Sequence, residues 1–312
     1  MMNPCKRGPI VSLVLVGTIL LLAGKFFLGD DDESFLNSVT AERDPSTRIE
    51  RNLRIVSYNL WCFHFGFRSM WGLDKRIKAL AEGLKDFDDI ALIQEAYILN
   101  IGITLFPKCA SLLVSEMTKR GFHYRTSLRD FLAPYIGNGA GIVIFSRFPF
   151  ARLAAKQYHH YSFGFLQVRH YRGFVIGEYI INSQHLFVVN THLDHIQAKT
   201  RTHQANELAE ELKKIPPASH VIVGGDFNIN NRSPILLGRS QEHIELLNSM
   251  NETGLQSVFP PGMETNFDGG CYDAIFKSSN VKIIRKQVLK LVTGSGDEVS
   301  DHYGLSIEIK IW

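Results

Sequence analysis

The sequence predicts an α/β fold in which mixed sheets pack on one another and carry helices on their outer faces. Two observations lead there. Apolar runs of strand length outnumber the helical stretches and do not alternate strictly with them, which disfavours a simple doubly wound parallel sheet. In addition, five short polar clusters each close a β-like apolar run: Asn59, Gln94-Glu95, Asn190-Thr191-His192, Gly225-Asp226-Phe227-Asn228 and Ser300-Asp301-His302. One such cluster is ordinarily a solvated or capping group, whereas five in one repeated context describe a site. The composition, 45% hydrophobic and 21% charged over 312 residues, is that of a globular protein.

The elements follow in order. Residues 1–29 stand apart: Lys6 and Arg7 precede the apolar run 9–24, and acidic residues 30–33 follow, as expected of a signal anchor or signal peptide. Either places the rest of the chain on the extracytoplasmic or lumenal side of a membrane, anchored or secreted. Residues 30–52, polar and containing Pro45, read as a stalk. Residues 53–312 then form one domain, long enough to bury a substantial core. Within it, 54–60 is strand-like, and 73–84 places Ile77, Leu80, Ala81 and Leu84 on one helical face. A buried strand at 90–94, a helix at 111–120 and a short strand at 123–127 come next. The glycine-rich loop 137–141 opens a strand at 142–146. Strands at 174–182 and 186–193 are joined by residues 183–185 as a hairpin. The clearest helix, 200–214, aligns Ala205, Leu208, Ala209 and Leu212 and is stopped by Pro216-Pro217. A strand at 221–223, a helix at 241–250 and strands at 272–276, 281–291 and 303–311 complete the domain.

Charge and cysteines narrow the function classes. The formal charge is +3, and no block of five or six basic residues occurs, so the sequence carries no extended nucleic-acid footprint. Three of the four cysteines, Cys62, Cys109 and Cys271, lie beyond the N-terminal run. Their spacing matches no zinc site and permits one disulfide, whose partners the sequence leaves open. Asn251-Glu252-Thr253 fits a glycosylation sequon.

The clusters carry the chemistry of phosphate hydrolysis. Asp226 and Asn228 follow an apolar strand at alternate positions, so carboxylate and amide share one side, one gripping an attacking water and the other a phosphate oxygen. Glu95 ends a buried strand and needs a partner there, which a hard cation supplies through oxygen ligands. Asn59 offers an amide oxygen from the end of the first strand. His192 suits donation to a phosphate, with His195 behind it or at the surface. Asp301 offers a carboxylate on the metal side, next to His302, an imidazole able to act as base near neutral pH. Asp273, on a neighbouring strand, is placed to orient His302.

Taken together, Ser57-Tyr58-Asn59-Leu60, Ile93-Gln94-Glu95, Asn190-Thr191-His192-Leu193, Gly224-Gly225-Asp226-Phe227-Asn228, Tyr272-Asp273-Ala274-Ile275 and Ser300-Asp301-His302 resemble, in order, the motifs of the endonuclease/exonuclease/phosphatase superfamily. The resemblance implies a four-layer, deoxyribonuclease-like α/β sandwich of two packed mixed sheets flanked by helices. It implies Mg2+, or Mn2+, held by Asn59 and Glu95 with Asp301 near it. Asp226 and Asn228 then position water and phosphate, His192 donates to the phosphate, and His302, oriented by Asp273, is the base. Within the superfamily the chain is most similar to neutral sphingomyelinases, through residues 138–141, 146–149 and 172–175. That similarity implies substrate contacts at Asn138 and Arg172, the latter standing where those enzymes place a lysine. The expected activity is hydrolysis of sphingomyelin to ceramide and phosphocholine. The alternatives are, in turn, a secreted or anchored endonuclease, an inositol polyphosphate phosphatase and an inactive membrane-tethered module.

Two aromatic stretches, residues 158–165 and Phe63, Phe65, Phe67 and Trp71, point the same way, since aromatic side chains at a loop tip insert at membrane surfaces; core packing is the other reading of each. The expected partner is therefore a phospholipid membrane, ahead of nucleic acid, and no protein partner is inferable.

Overall fold

Two mixed sheets form the inner layers of the computed structural model, which describes residues 46–62, 72–84, 88–97, 99–101, 104–105, 108–127, 136–162, 171–230 and 241–311. The expected signal segment, most of the stalk, the stretch Phe63 to Trp71, and residues 163–165 lie outside the described residues. The first sheet runs β1 (Ser46–Thr47), β10 (Gly173–Ile181), β11 (Gln184–His192), β12 (His220–Asp226), β14 (Asp273–Ser278) and β13 (Leu255–Ser257), with β9 (Arg152–Gln157) also pairing β10. The second runs β15 (Lys282–Leu289), β16 (Gly304–Lys310), β2 (Leu53–Asn59), β3 (Ile90–Gln94), β8 (Val143–Ser146) and β6 (Tyr124–Arg125). A small third sheet contains β5 (Thr104–Leu105), β4 (Leu99–Ile101) and β7 (Ile136–Asn138).

The central strands read as continuous apolar runs because both of their faces are covered. Along β2, Leu53 and Ile55 point into the inter-sheet core with Leu92, Ile144, Val188, Ile222 and Ile275, while Val56 and Tyr58 point outward. The outward face of the second sheet packs on α1 (Leu73–Gly83) and α2 (Lys108–Lys119) through Ile77, Leu80, Leu113 and Met117. On the other side, Val189, Val221 and Val223 pack on α3 (Ala198–Leu212) and α4 (Gln241–Glu252) through Ala205, Leu208, Leu246 and Met250. The result is the expected helix–sheet–sheet–helix sandwich.

A buried polar clasp fixes the sheets against each other. The Asn190 amide on β11 donates to the carbonyls of Ile93 and Val143 in the opposite sheet, both at 2.9 Å, and its Oδ1 accepts from Gln94 Nε2 at 2.7 Å. Gly224 permits the approach: a Cβ there would meet Leu92 Cδ1 at 2.7 Å. A disulfide joins Cys62, just past β2, to Cys109 on α2, while Cys271 is buried and takes no part in a disulfide.

Several boundaries differ from the sequence reading. The β10–β11 turn is the pair Asn182-Ser183, both with positive φ (51° and 62°), one residue earlier than the composition suggested. Residues 137 and 138 belong to β7 rather than to a loop, because β4 supplies pairing partners for them. Residues 46–52, read as the end of a stalk, join the fold: β1 pairs β10, Ile49 is buried, and the Asn182 side chain clamps the Ile49 backbone at 2.8 and 2.7 Å. Tyr158, in one of the two aromatic stretches, packs in the core against Phe174, in keeping with the core reading at that position. Among the described residues no helix is long and apolar enough to cross a membrane.

Candidate active site

Strand direction brings the clusters together. β2 and β3 run parallel, as do β11 and β12, so Asn59, Glu95, His192 and Asp226 all sit at C-terminal strand ends. β14 runs antiparallel to β12 and β16 antiparallel to β2, so their N-terminal ends arrive at the same edge, delivering Asp273 opposite Asp226 and His302 just before Gly304. Arg172 immediately precedes β10, whose first residue, Gly173, pairs with His192. Seven strands thus meet at one edge, and most of the expected site residues lie there.

Asp226 is the hub. Its side chain is almost wholly buried, with Oδ2 accepting from Asn59 Nδ2 at 2.9 Å and Oδ1 from the Asn228 N–H at 2.8 Å. Gly225 makes this placement feasible. Its φ is +155°, and a Cβ there would lie 2.0 Å from the Thr191 carbonyl oxygen. Asp226 Oδ2 also lies 3.5 Å from His192 Nε2 and 3.8 Å from His302 Nε2, so one carboxylate faces two imidazoles.

The two imidazoles differ in protonation. Arg172 Nη1 lies 2.9 Å from His192 Nδ1, and a guanidinium only donates, so Nδ1 accepts and the proton of a neutral ring sits on Nε2. Burial, then the Arg172 charge, holds the His192 pKa well below the ordinary imidazole value. His192 therefore presents a neutral Nε2–H donor. Asn228 Nδ2 lies 3.0 Å from that nitrogen and donates one of its two hydrogens to the Leu193 carbonyl at 3.1 Å, so Asn228 borders His192 Nε2 directly. His302 is the reverse case. Its Nδ1 lies 2.8 Å from Asp273 Oδ2 and donates to it, which leaves Nε2 to take a proton. Burial disfavours charge on His302, but Asp273 and then Asp226 outweigh it and set its pKa well above the usual value.

The residues expected to hold a cation are in electrostatic conflict. Glu95, with φ +60°, has its pKa pushed up to about 7, mainly by burial, with Asp301 and Asp226 adding to it against Arg172 and His302. Glu95, His192 and Asp226 bring ligand atoms within 4.8 Å of one another, and Asp226, Asp273 and His302 form a second such group. A desolvated carboxylate repelled by two others fits a hard divalent cation, whose charge would relieve all three. Asn59 is in register with Gln94; its Oδ1 accepts from the Trp61 N–H at 2.9 Å and keeps a second lone pair. Asp301 lies at the same edge, its pKa raised by burial.

The structure also assigns positions that the pattern did not single out. Arg76, buried on α1, donates to the Leu60 carbonyl at 2.5 Å and the Val299 carbonyl at 2.6 Å, tying the segment after Asn59 to the one before Asp301. Its place on an apolar helical face was the available signal. Tyr97 accepts from Arg172, which is itself buried and also reaches His195 Nδ1 at 3.0 Å. Arg172 thus stands inside the site, behind His192. Asn138 lies on β7, and its side chain is outside the described residues.

Comparison with known proteins follows this geometry. The profile of the Endonuclease/Exonuclease/phosphatase family matches residues 56–302. A sphingomyelinase C from Bacillus cereus is 24% identical over 234 residues, 67% of this chain and 67% of that protein. Among solved structures, the beta toxin of Staphylococcus aureus with bound magnesium ions superposes with a TM-score of 0.62 at 19% identity, covering 83% of this chain and 100% of that one. TDP2 from D. rerio, complexed with single strand DNA product, superposes at 0.58 and 18% identity, covering 83% and 99%. At these identities the structural likenesses establish the fold.

Proposed function

The chain belongs to the Endonuclease/Exonuclease/phosphatase family, and from that membership we propose that it is a Mg2+-dependent phosphodiesterase that hydrolyses sphingomyelin to ceramide and phosphocholine. One observation carries the chemistry: Asp226 lies between a neutral His192 that donates from Nε2 and a His302 that accepts at Nε2. A water held by Asp226 is within reach of His302, which in its unprotonated form removes the water's proton as the water attacks phosphorus; the bond to the ceramide oxygen opposite breaks, and that oxygen takes a proton from solvent. Asp273 holds the His302 ring and stabilises the imidazolium that forms. His192 Nε2–H donates to a non-bridging phosphate oxygen, and Asn228 positions the phosphate beside it. Glu95 and Asn59, with Asp301, are the residues that would hold the cation, which when bound supplies charge neutralisation at the phosphate.

The lipid substrate rests on the similarity to sphingomyelinase C, on the sequence segments 138–141 and 172–175, and on the expected N-terminal membrane segment. The Cys62–Cys109 disulfide supports an extracytoplasmic, secreted or membrane-anchored location, since such bonds persist in oxidising compartments. A nuclease is the second reading, favoured by the likeness to the DNA-bound TDP2 fold. Labelled sphingomyelin in liposomes, assayed beside supercoiled DNA with Mg2+ or EDTA, separates them. Mg2+-dependent phosphocholine release is expected, and DNA nicking without lipid turnover would sink the lipid reading.

A further inference from the structure

The turn that leads into Asp273 is tied down by its own hydrogen bonds. Thr265 N–H donates to the Gly270 carbonyl at 2.8 Å, and Thr265 Oγ1 accepts from the N–H groups of Tyr272 at 2.9 Å and Asp273 at 3.1 Å. Asp268 closes the tip by accepting from the Gly270 N–H at 2.6 Å, while Asn266 Oδ1 accepts from the Asp268 N–H at 3.1 Å. The turn is also bonded to the catalytic segment itself: Phe267 N–H donates to the Asp301 carbonyl at 2.9 Å, and Tyr303 N–H to the Thr265 carbonyl at 2.8 Å.

This frame displays groups that the hydrolytic chemistry does not use. Phe267 is 57% exposed, the most exposed large apolar side chain among the described residues, although its backbone is fixed beside Asp301. Tyr272, half-buried, has its ring centroid 6.2 Å from that of His302 and its hydroxyl 3.3 Å from Asp268 Oδ2. Gly270 is needed for that ring position, since a Cβ there would lie 2.2 Å from Tyr272 Cε2. An exposed phenyl ring, a tyrosine ring and a solvent-facing carboxylate therefore border the site where phosphorus is attacked. Aromatic faces with a nearby negative charge attract a quaternary ammonium. The same rings could stack on a base, but Asp268 would then face the polyanionic strand that carries it.

We propose that Phe267 and Tyr272, together with the carboxylate of Asp268, form a subsite for the trimethylammonium of a choline headgroup. The inference deepens the lipid reading above and rests on it. The subsite holds the cationic end of phosphocholine while Asp226, His192 and His302 act on its phosphate.

The test compares full-length wild type with Phe267→Ala and Asp268→Asn on sphingomyelin and on bis(p-nitrophenyl) phosphate, a diester without a cation. The expected result is a fall of about tenfold in the ratio of kcat/KM for sphingomyelin to that for the simple diester, the size of one cation–aromatic contact. Phe267→Trp should restore the ratio. Independently, phosphocholine should inhibit turnover of the simple diester more strongly than inorganic phosphate in wild type, and lose that advantage in both variants. Unchanged ratios, or equal inhibition by phosphocholine and phosphate in wild type, overturn the subsite. If wild type fails on sphingomyelin yet keeps the phosphocholine advantage, the lipid reading falls and the subsite stands.

Discussion

At the scale of residues, Glu95 is where burial and charge conflict most openly. A carboxyl raised from 4.5 to about 7 is protonated in the fold over a pH window where it is ionised in the unfolded chain. The native state therefore binds more protons there, and the cation-free protein loses stability as pH rises through that window. Cation binding needs the ionised form, so affinity should grow across the same interval. Calorimetric titration with Mg2+ at pH 6 and pH 8 should show tighter binding at pH 8. Glu95→Gln should weaken it by about tenfold or more and remove the pH step. Arg172 teaches a related lesson. Its cation was legible from sequence as a substrate contact, but its geometry places it behind His192, where it sets the tautomer. A tautomer depends on which partner a ring meets across the sheet, and single-sequence patterns hold no record of that.

At the scale of elements, the sequence located nearly every strand that reaches the site because those strands are buried on both faces and end in polar clusters. It missed β1, β4, β5, β7, β9 and β13, which lie at sheet edges or are only two or three residues long and lack an apolar signature. The Asn182-Ser183 turn escaped for a different reason: positive φ at two non-glycine residues leaves a weak compositional trace. Gly225 was legible only as part of a motif, and the structure supplies its cause. Because a Cβ there would lie 2.0 Å from the Thr191 carbonyl, Gly225→Ala should lower stability by about 2 kcal/mol or more. Denaturant unfolding measures the effect, and Asp226 should lose its alignment with His192 and His302, so that residual activity falls further than the folded fraction.

At the scale of the molecule, the boundary of the folded unit lies earlier than apolar patterning suggested. Residues 46–52 are polar enough to read as a stalk, yet Ile49 is buried and Arg51 pairs with Asp89. A chain begun at residue 53 should therefore unfold about 2 kcal/mol more readily than one begun at residue 46, as burial of one isoleucine side chain implies. Chemical denaturation of the two fragments checks this. The two sheets are also interleaved in chain order. β2 and β3 come early, and β16 returns to pair with β2 only after the whole of the other sheet has been laid down. A chain emerging from a ribosome thus carries Asn59 and Glu95 long before Asp301 and His302, and the shared edge is incomplete until β16 has found β2. A hydrolase built in this order stays inert until its last strand has paired, so the order of its strands along the chain itself delays the activity.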